Sequence, residues 1–94
     1  MANKETDKWE KAVIFLLNLD GWDLKWTGGG SCVYDAKGKT PKNKTCVLEI
    51  KFRKKHYDEG MIIEKKKYDA LMALDEEVKL YFNNTPKGNF MYYL

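Results

Sequence analysis

Cysteine is scarce in this chain, present only as Cys32 and Cys46. Two cysteines are too few for a disulfide scaffold and read as reduced strand residues of a cytosolic protein. Histidine occurs once, as His56, and its spacing from the cysteines matches no zinc pattern. Long hydrophobic runs are missing as well. The longest, Ala12 to Leu17, falls far short of the ~20 residues a membrane-spanning helix needs, so no membrane association is expected. No basic leader with an apolar stretch and cleavage site is visible, and there are no internal repeats or low-complexity linkers. The glycine-rich stretch Thr27-Gly28-Gly29-Gly30-Ser31 lacks the G-x-x-x-x-G-K-[ST] pattern and opens no helix. It reads as a hairpin turn, with backbone contact to DNA the one functional role left open to it.

What is present suits a single folded unit. The 94 residues are 44% hydrophobic and 33% charged, a balance that gives one globular domain with a modest core. The net charge of +3 hides an asymmetry. Residues 37–67 carry eleven basic and four acidic side chains, against six basic and ten acidic elsewhere. A lysine-rich solvated surface would look similar, but the clustering around residues 37–44 and 51–55 favours a polyanionic partner, nucleic acid first.

Thr6 is placed to cap a helix running to about Leu19, with Trp9, Val13, Leu16 and Leu17 as its apolar stripe. Asp20-Gly21 stops it. Trp22 to Trp26 alternates as a half-buried strand with Trp22, Leu24 and Trp26 inward. Cys32 to Gly38 reads as a second strand and Thr45 to Arg53 as a third, joined by the polar turn Lys39-Thr40-Pro41-Lys42-Asn43-Lys44. A second helix is expected from about Met61 or Ile62 to Leu74. Strands at Val78–Phe82 and Asn89–Leu94 follow, with a turn over 83–88 between them. The order α-β-β-β-α-β-β predicts an α/β (α+β) fold with a mixed central sheet flanked by helices. The apolar C-terminal strand suits a sheet edge or a homodimer interface.

The third strand carries an acid and a lysine two residues apart. Side chains alternate faces along a strand, so Val47, Glu49 and Lys51 share one face and Cys46, Leu48, Ile50 and Phe52 the other. A solvated charge pair is the simplest reading of Glu49 and Lys51. If the hairpin pairs, however, Asp35 sits beside Glu49, and two carboxylates plus a backbone carbonyl suffice to hold Mg²⁺ or Mn²⁺. Lys51 then stands where it can orient a water or offset charge on a phosphate.

Asp35, a hairpin and then Glu49-Ile50-Lys51 resembles the D…(D/E)-x-K signature of the PD-(D/E)XK nuclease superfamily, with Tyr34 in place of the proline before the first acid. That resemblance implies a restriction-endonuclease-like core with the acid and the ExK element on its second and third strands. It also implies a metal-dependent endonuclease that hydrolyses phosphodiester bonds, DNA before RNA, of the small phage-type or junction-resolving kind. The setting would be the cytoplasm of a bacterial or phage-infected cell. The implied metal ligands are Asp35, Glu49 and the Ile50 carbonyl, with Lys51 catalytic and Glu10, bordering the core face of the first helix, assisting through a water. Glu64-x-x-x-Tyr68 resembles the Q-x-x-x-Y element that some members carry on the second helix. Lys37, Lys39, Lys42, Lys44, Arg53, Lys54, Lys55, Lys65 and Lys67 are the expected nucleic-acid contacts. A rival of another class, a non-catalytic module that binds nucleic acid or protein on the same fold, makes the acids purely structural.

Overall fold

A computed structural model describes residues 4–28, 33–52 and 65–94. Cys32, Arg53, Lys54, Lys55, His56 and Glu64 lie outside the described residues. The elements are α1 (Lys4–Leu19), β1 (Asp23–Trp26), β2 (Ala36–Lys39), β3 (Thr45–Phe52), α2 (Lys65–Met72), β4 (Val78–Thr85) and β5 (Gly88–Tyr93). They follow the α-β-β-β-α-β-β order expected from the sequence.

One five-stranded sheet runs β1-β2-β3-β4-β5. It is mixed: β3 and β4 pair in parallel and the other neighbours antiparallel. Parallel pairing demands a crossover, and the chain between β3 and β4 includes α2. β3 sits at the centre, with Cys46, Val47, Leu48, Glu49 and Ile50 all buried. Ile14 of α1 joins Cys46, Leu48, Ile50, Leu24, Ala36 and Leu80 in one apolar cluster. That cluster fixes α1 on the Leu48–Ile50 face. Lys67 of α2 reaches Glu49, which places α2 over the opposite face.

Several boundaries and faces differ from the sequence reading. Thr6 is not the cap of α1, which begins at Lys4; Thr6 lies inside the first turns. Trp9 and Leu16 are 56% and 64% exposed, while Glu10 and Ile14 are buried and Val13 and Leu17 half-buried. The two stripes share Val13 and Leu17, so helical spacing alone does not choose between them. Contact with β1 chooses: the Trp26 indole N–H donates to Glu10 Oε1 at 2.9 Å, and Lys11 Nζ lies 4.2 Å from the Trp26 ring centroid. The helix C-terminus is as expected. Trp22 N–H donates to Leu17 O and Gly21 N–H to Asn18 O, with Gly21 at φ 96°. This is a Schellman cap, which needs the left-handed residue that glycine supplies.

β2 starts at Ala36 rather than near Cys32, and β4 continues through Thr85, leaving a short turn where a longer one was expected. Cys46 is a buried free thiol whose pKa burial pushes up to about 11. No helix among the described residues is long and apolar enough to cross a membrane.

Candidate active site

The β2–β3 ladder ends at the pair Ala36–Leu48. Asp35 immediately precedes β2 and lies outside the ladder. Its N–H donates to Leu48 O at 2.9 Å. Beyond this point β3 has no further β2 partner, and the Ile50 N–H donates instead to Asp35 Oδ2 at 2.8 Å. The Asp35 side chain thus takes the place of the next ladder acceptor. This bond holds its carboxylate against the end of the hairpin. Backbone N–H and C=O of one strand residue face the same edge, so the Ile50 carbonyl also turns to the Asp35 side.

Glu49 is 6% exposed and Asp35 5%. Removal of Glu49 from water is the largest reason its pKa rises, to about 7, with the neighbouring Asp35 charge second. Lys67 Nζ, 3.4 Å from Glu49 Oε2, opposes both. The protonated Glu49 carboxyl donates a hydrogen bond to Asp35, which also favours the neutral form. Glu10 is 6% exposed. Burial holds its pKa above the ordinary value, the Trp26 indole N–H pulls it down, and the Asp35 charge adds to the rise.

These acids meet in one open cleft of about 270 Å³ lined by Thr6, Glu10, Asp35, Glu49, Ile50, Lys51 and Phe52. The four residues expected to be catalytic are therefore brought together, and Ile50 with them. Lys51 is exposed and follows Glu49 on the same strand face. Among the described residues, no three of His, Cys, Asp and Glu gather closely enough to hold a metal ion by themselves. The donor set on offer is two buried carboxylates and a strand-end carbonyl. All three are hard oxygens, and burial first and the Asp35 charge second push the Glu49 pKa up to about 7. That set fits Mg²⁺ or Mn²⁺ with water completing the shell.

The expected nucleic-acid lysines are dispersed. Lys67 turns to Glu49, whereas Lys65 pairs with Asp69 at 3.0 Å on the outer side of α2. Lys42 and Lys44 are exposed in the hairpin turn, at the opposite end of the hairpin from Asp35 and Glu49. Lys37 and Lys39 stand on β2 beside a separate cleft. Tyr68 is 38% exposed and is not among the residues lining the acid cleft.

Three neighbours of the acids escaped the sequence reading. Trp26 was read as core alone, and nothing in an alternating strand reveals where an indole N–H points. Thr6 was read as a cap. Asn83 falls in the turn that the sequence predicts over 83–88, yet it lies in β4 as the register partner of Lys51, 3% exposed. Its Oδ1 has no hydrogen-bond partner among the described residues.

No known protein family matches the chain, and no curated protein matches it. The solved crystal structure of SSO0001 is similar, with a TM-score of 0.59 at 19% identity over 94% of this chain and 49% of that one. The chain spans about half the length of SSO0001, and at this identity the likeness is one of fold.

Proposed function

We propose that this chain is a metal-dependent nuclease of PD-(D/E)XK type on a restriction-endonuclease-like core, hydrolysing phosphodiester bonds in nucleic acid, with DNA the first candidate. The observation that carries the reading is the convergence of Asp35 and Glu49 at the open end of the β2–β3 hairpin, with Lys51 lining the same cleft. Element order and the parallel β3–β4 pair support it.

Asp35, Glu49 and the Ile50 carbonyl would hold Mg²⁺ or Mn²⁺. Such an ion supplies Lewis acidity and a lowered pKa for a bound water. The chain's own residues do the rest. Asp35 is fixed by the Ile50 N–H and presents its remaining lone pairs to the cleft. Lys51 brings an ammonium group to the scissile phosphate, where it offsets the charge that develops as the P–O bond breaks. Glu10, anchored by Trp26, is placed to orient a water at the cleft wall. The Lys67 contact gives Glu49 a counter-ion in the free protein. Two buried carboxylates thereby remain compatible with folding. In the proposed setting the chain acts in the cytoplasm of a bacterial or phage-infected cell, with β5 as the edge through which a homodimer would form.

A second reading has its own support. Asp35 caps a ladder and Glu49 pairs with Lys67, so both acids have structural work in a non-catalytic binding module. Cleavage of labelled single-stranded, duplex and branched DNA and of RNA separates the two. It is run with Mg²⁺, with Mn²⁺ and with EDTA, on wild type, Glu49→Ala and Lys51→Ala. Cutting that needs metal and is lost in both variants supports the nuclease. Cutting of nothing, with binding indifferent to EDTA and to both variants, supports the module.

A further inference from the structure

A second cleft, of about 430 Å³, opens on the β1–β2 part of the sheet, and its lining is basic. Lys25 of β1 is the register partner of Lys37 of β2, and Asp23 is the partner of Lys39. Directly opposed residues share a face, as do alternate residues along one strand. Lys25, Lys37 and Lys39 therefore stand together on one face, joined in the lining by Asp23, Thr27 and Thr45. Like charges placed directly opposite weaken a sheet. A face meant only for water gains nothing from stacking Lys25 on Lys37. Lys37 Nζ lies 3.5 Å from Glu76 Oε2, at the limit of an ion pair, with the Lys37 side chain 53% exposed and that of Glu76 15%. A pair of that kind is weak and is readily exchanged for a stronger anion.

We propose that this cleft binds the sugar–phosphate backbone of a nucleic-acid strand without regard to sequence. The chemistry of the lining selects that occupant. Three ammonium groups and two hydroxyls, which are phosphate partners, outweigh the one carboxylate, Asp23. Among the described residues the lining has no aromatic ring for a base to stack on and no side-chain amide or guanidinium to read a base edge. The cleft also leads somewhere. Thr27 at its end donates its N–H to the Asp35 carbonyl at 2.9 Å, and Asp35 lines the acid cleft. β2 advances ~3.3 Å per residue, so Lys37 and Lys39 lie within ~15 Å of Asp35 along the strand. A strand held by these lysines is delivered to the carboxylates. That last step rests on the nuclease reading, whereas binding in the cleft does not.

The test is fluorescence anisotropy in EDTA with labelled single-stranded DNA, duplex DNA and RNA of mixed sequence, and with labelled polyglutamate as an acidic polypeptide. Salt is titrated in each case. The variant is K25Q/K39Q, which leaves the Lys37–Glu76 contact in place. A charge-matched control, K8Q/K66Q, removes two exposed lysines of α1 and α2. Circular dichroism and a thermal melt confirm that both variants fold. Wild type should bind nucleic acid with little dependence on sequence. K25Q/K39Q should lose five- to tenfold in affinity at low salt. Its log K against log[salt] slope should flatten by ~1.4 to 1.8, the value for two phosphate contacts. The control should keep the wild-type slope. An unchanged slope in K25Q/K39Q, an equal loss in the control, or polyglutamate binding as tightly as DNA would each overturn the proposal. Cleavage is scored separately. Salt-dependent binding by the cleft with no cutting by wild type leaves this surface standing and removes the nuclease. Metal-dependent cutting that K25Q/K39Q binds and performs as well as wild type does the reverse.

Discussion

Glu49 is the residue on which most of the chemistry turns, and its buried position has a consequence for stability. Its folded pKa of about 7 lies above the ordinary carboxyl value of 4.5. The folded chain therefore holds a proton between those values that the unfolded chain has released. Stability linked to this group is fully present below the unfolded pKa and is lost as pH rises through about 7. Glu10 shifts in the same direction. Urea melts should accordingly show the protein more stable at pH 5 than at pH 8. Glu49→Gln should flatten that slope and gain ~2 kcal/mol at pH 8, the order of magnitude set by a shift of this size. A wild type more stable at pH 8 would contradict the buried, proton-sharing pair. Lys67 supplies a matching prediction. Lys67→Met leaves ionised Glu49 without its counter-ion and should cost ~1 kcal/mol at pH 8 but little at pH 5, where Glu49 is protonated. In the Glu49→Gln background the same change should have almost no effect. At this scale the sequence revealed the acids but not their partners. Strand alternation puts Glu49 and Lys51 on one face, and pairing of the hairpin strands brings Asp35 to the Glu49 end, where the Ile50 N–H holds it. Choosing Lys67 over Lys65 required knowing which side of α2 faces the sheet, and Leu71, its buried residue, marks that side only in the folded chain.

Elements position these residues through their ends. Gly21 at φ 96° lets α1 stop and turn into β1. Asn18 then clamps the outer edge of β1: its side-chain NH₂ donates to Leu24 O at 3.0 Å, and its Oδ1 accepts from Leu24 N–H at 2.8 Å. That pair of bonds satisfies backbone groups an edge strand would leave open. Gly21→Ala places a Cβ in the left-handed region and should cost ~1 kcal/mol in a thermal or urea melt. Trp26→Phe keeps an aromatic ring but leaves the buried Glu10 carboxylate without its donor, and should cost ~1 to 2 kcal/mol at pH 8. No loss in Trp26→Phe would show that the indole bond does not anchor Glu10. Asp20-Gly21 was legible because glycine has few other reasons to follow a helical pattern. The start of β2 was not, since Val33 and Tyr34 are strand formers by composition. Their chain leaves the ladder where the Asp35 side chain takes over its hydrogen bond. The face of α1 was likewise underdetermined, because Val13 and Leu17 belong to both candidate stripes.

At the scale of the whole molecule, three acids, from α1, from the residue before β2 and from β3, converge where the β2–β3 ladder ends, beside the parallel pair of β3 with β4. Element order could be read from patterning and turn residues. The assembly of the cleft could not, because it depends on which strands pair and in what register. The convergence makes a prediction that needs no substrate. A divalent cation that binds the folded chain alone stabilises it by RT ln(1 + [L]/Kd), about 2.7 kcal/mol at a hundredfold excess over Kd. For a domain of this size that raises the melting temperature by about 11 to 22 °C. Mn²⁺ or Mg²⁺ added at pH 8 should produce such a rise. At pH 5 the rise should shrink, because a proton on Glu49 competes with the ion. Asp35→Asn and Glu49→Gln should each abolish it, and Lys67→Met should enlarge it by removing the ammonium that competes for Glu49. A melting temperature indifferent to both ions at pH 8 would assign Asp35 and Glu49 to structure alone and favour the binding module. A rise that survives Glu49→Gln would place the ion elsewhere on the chain.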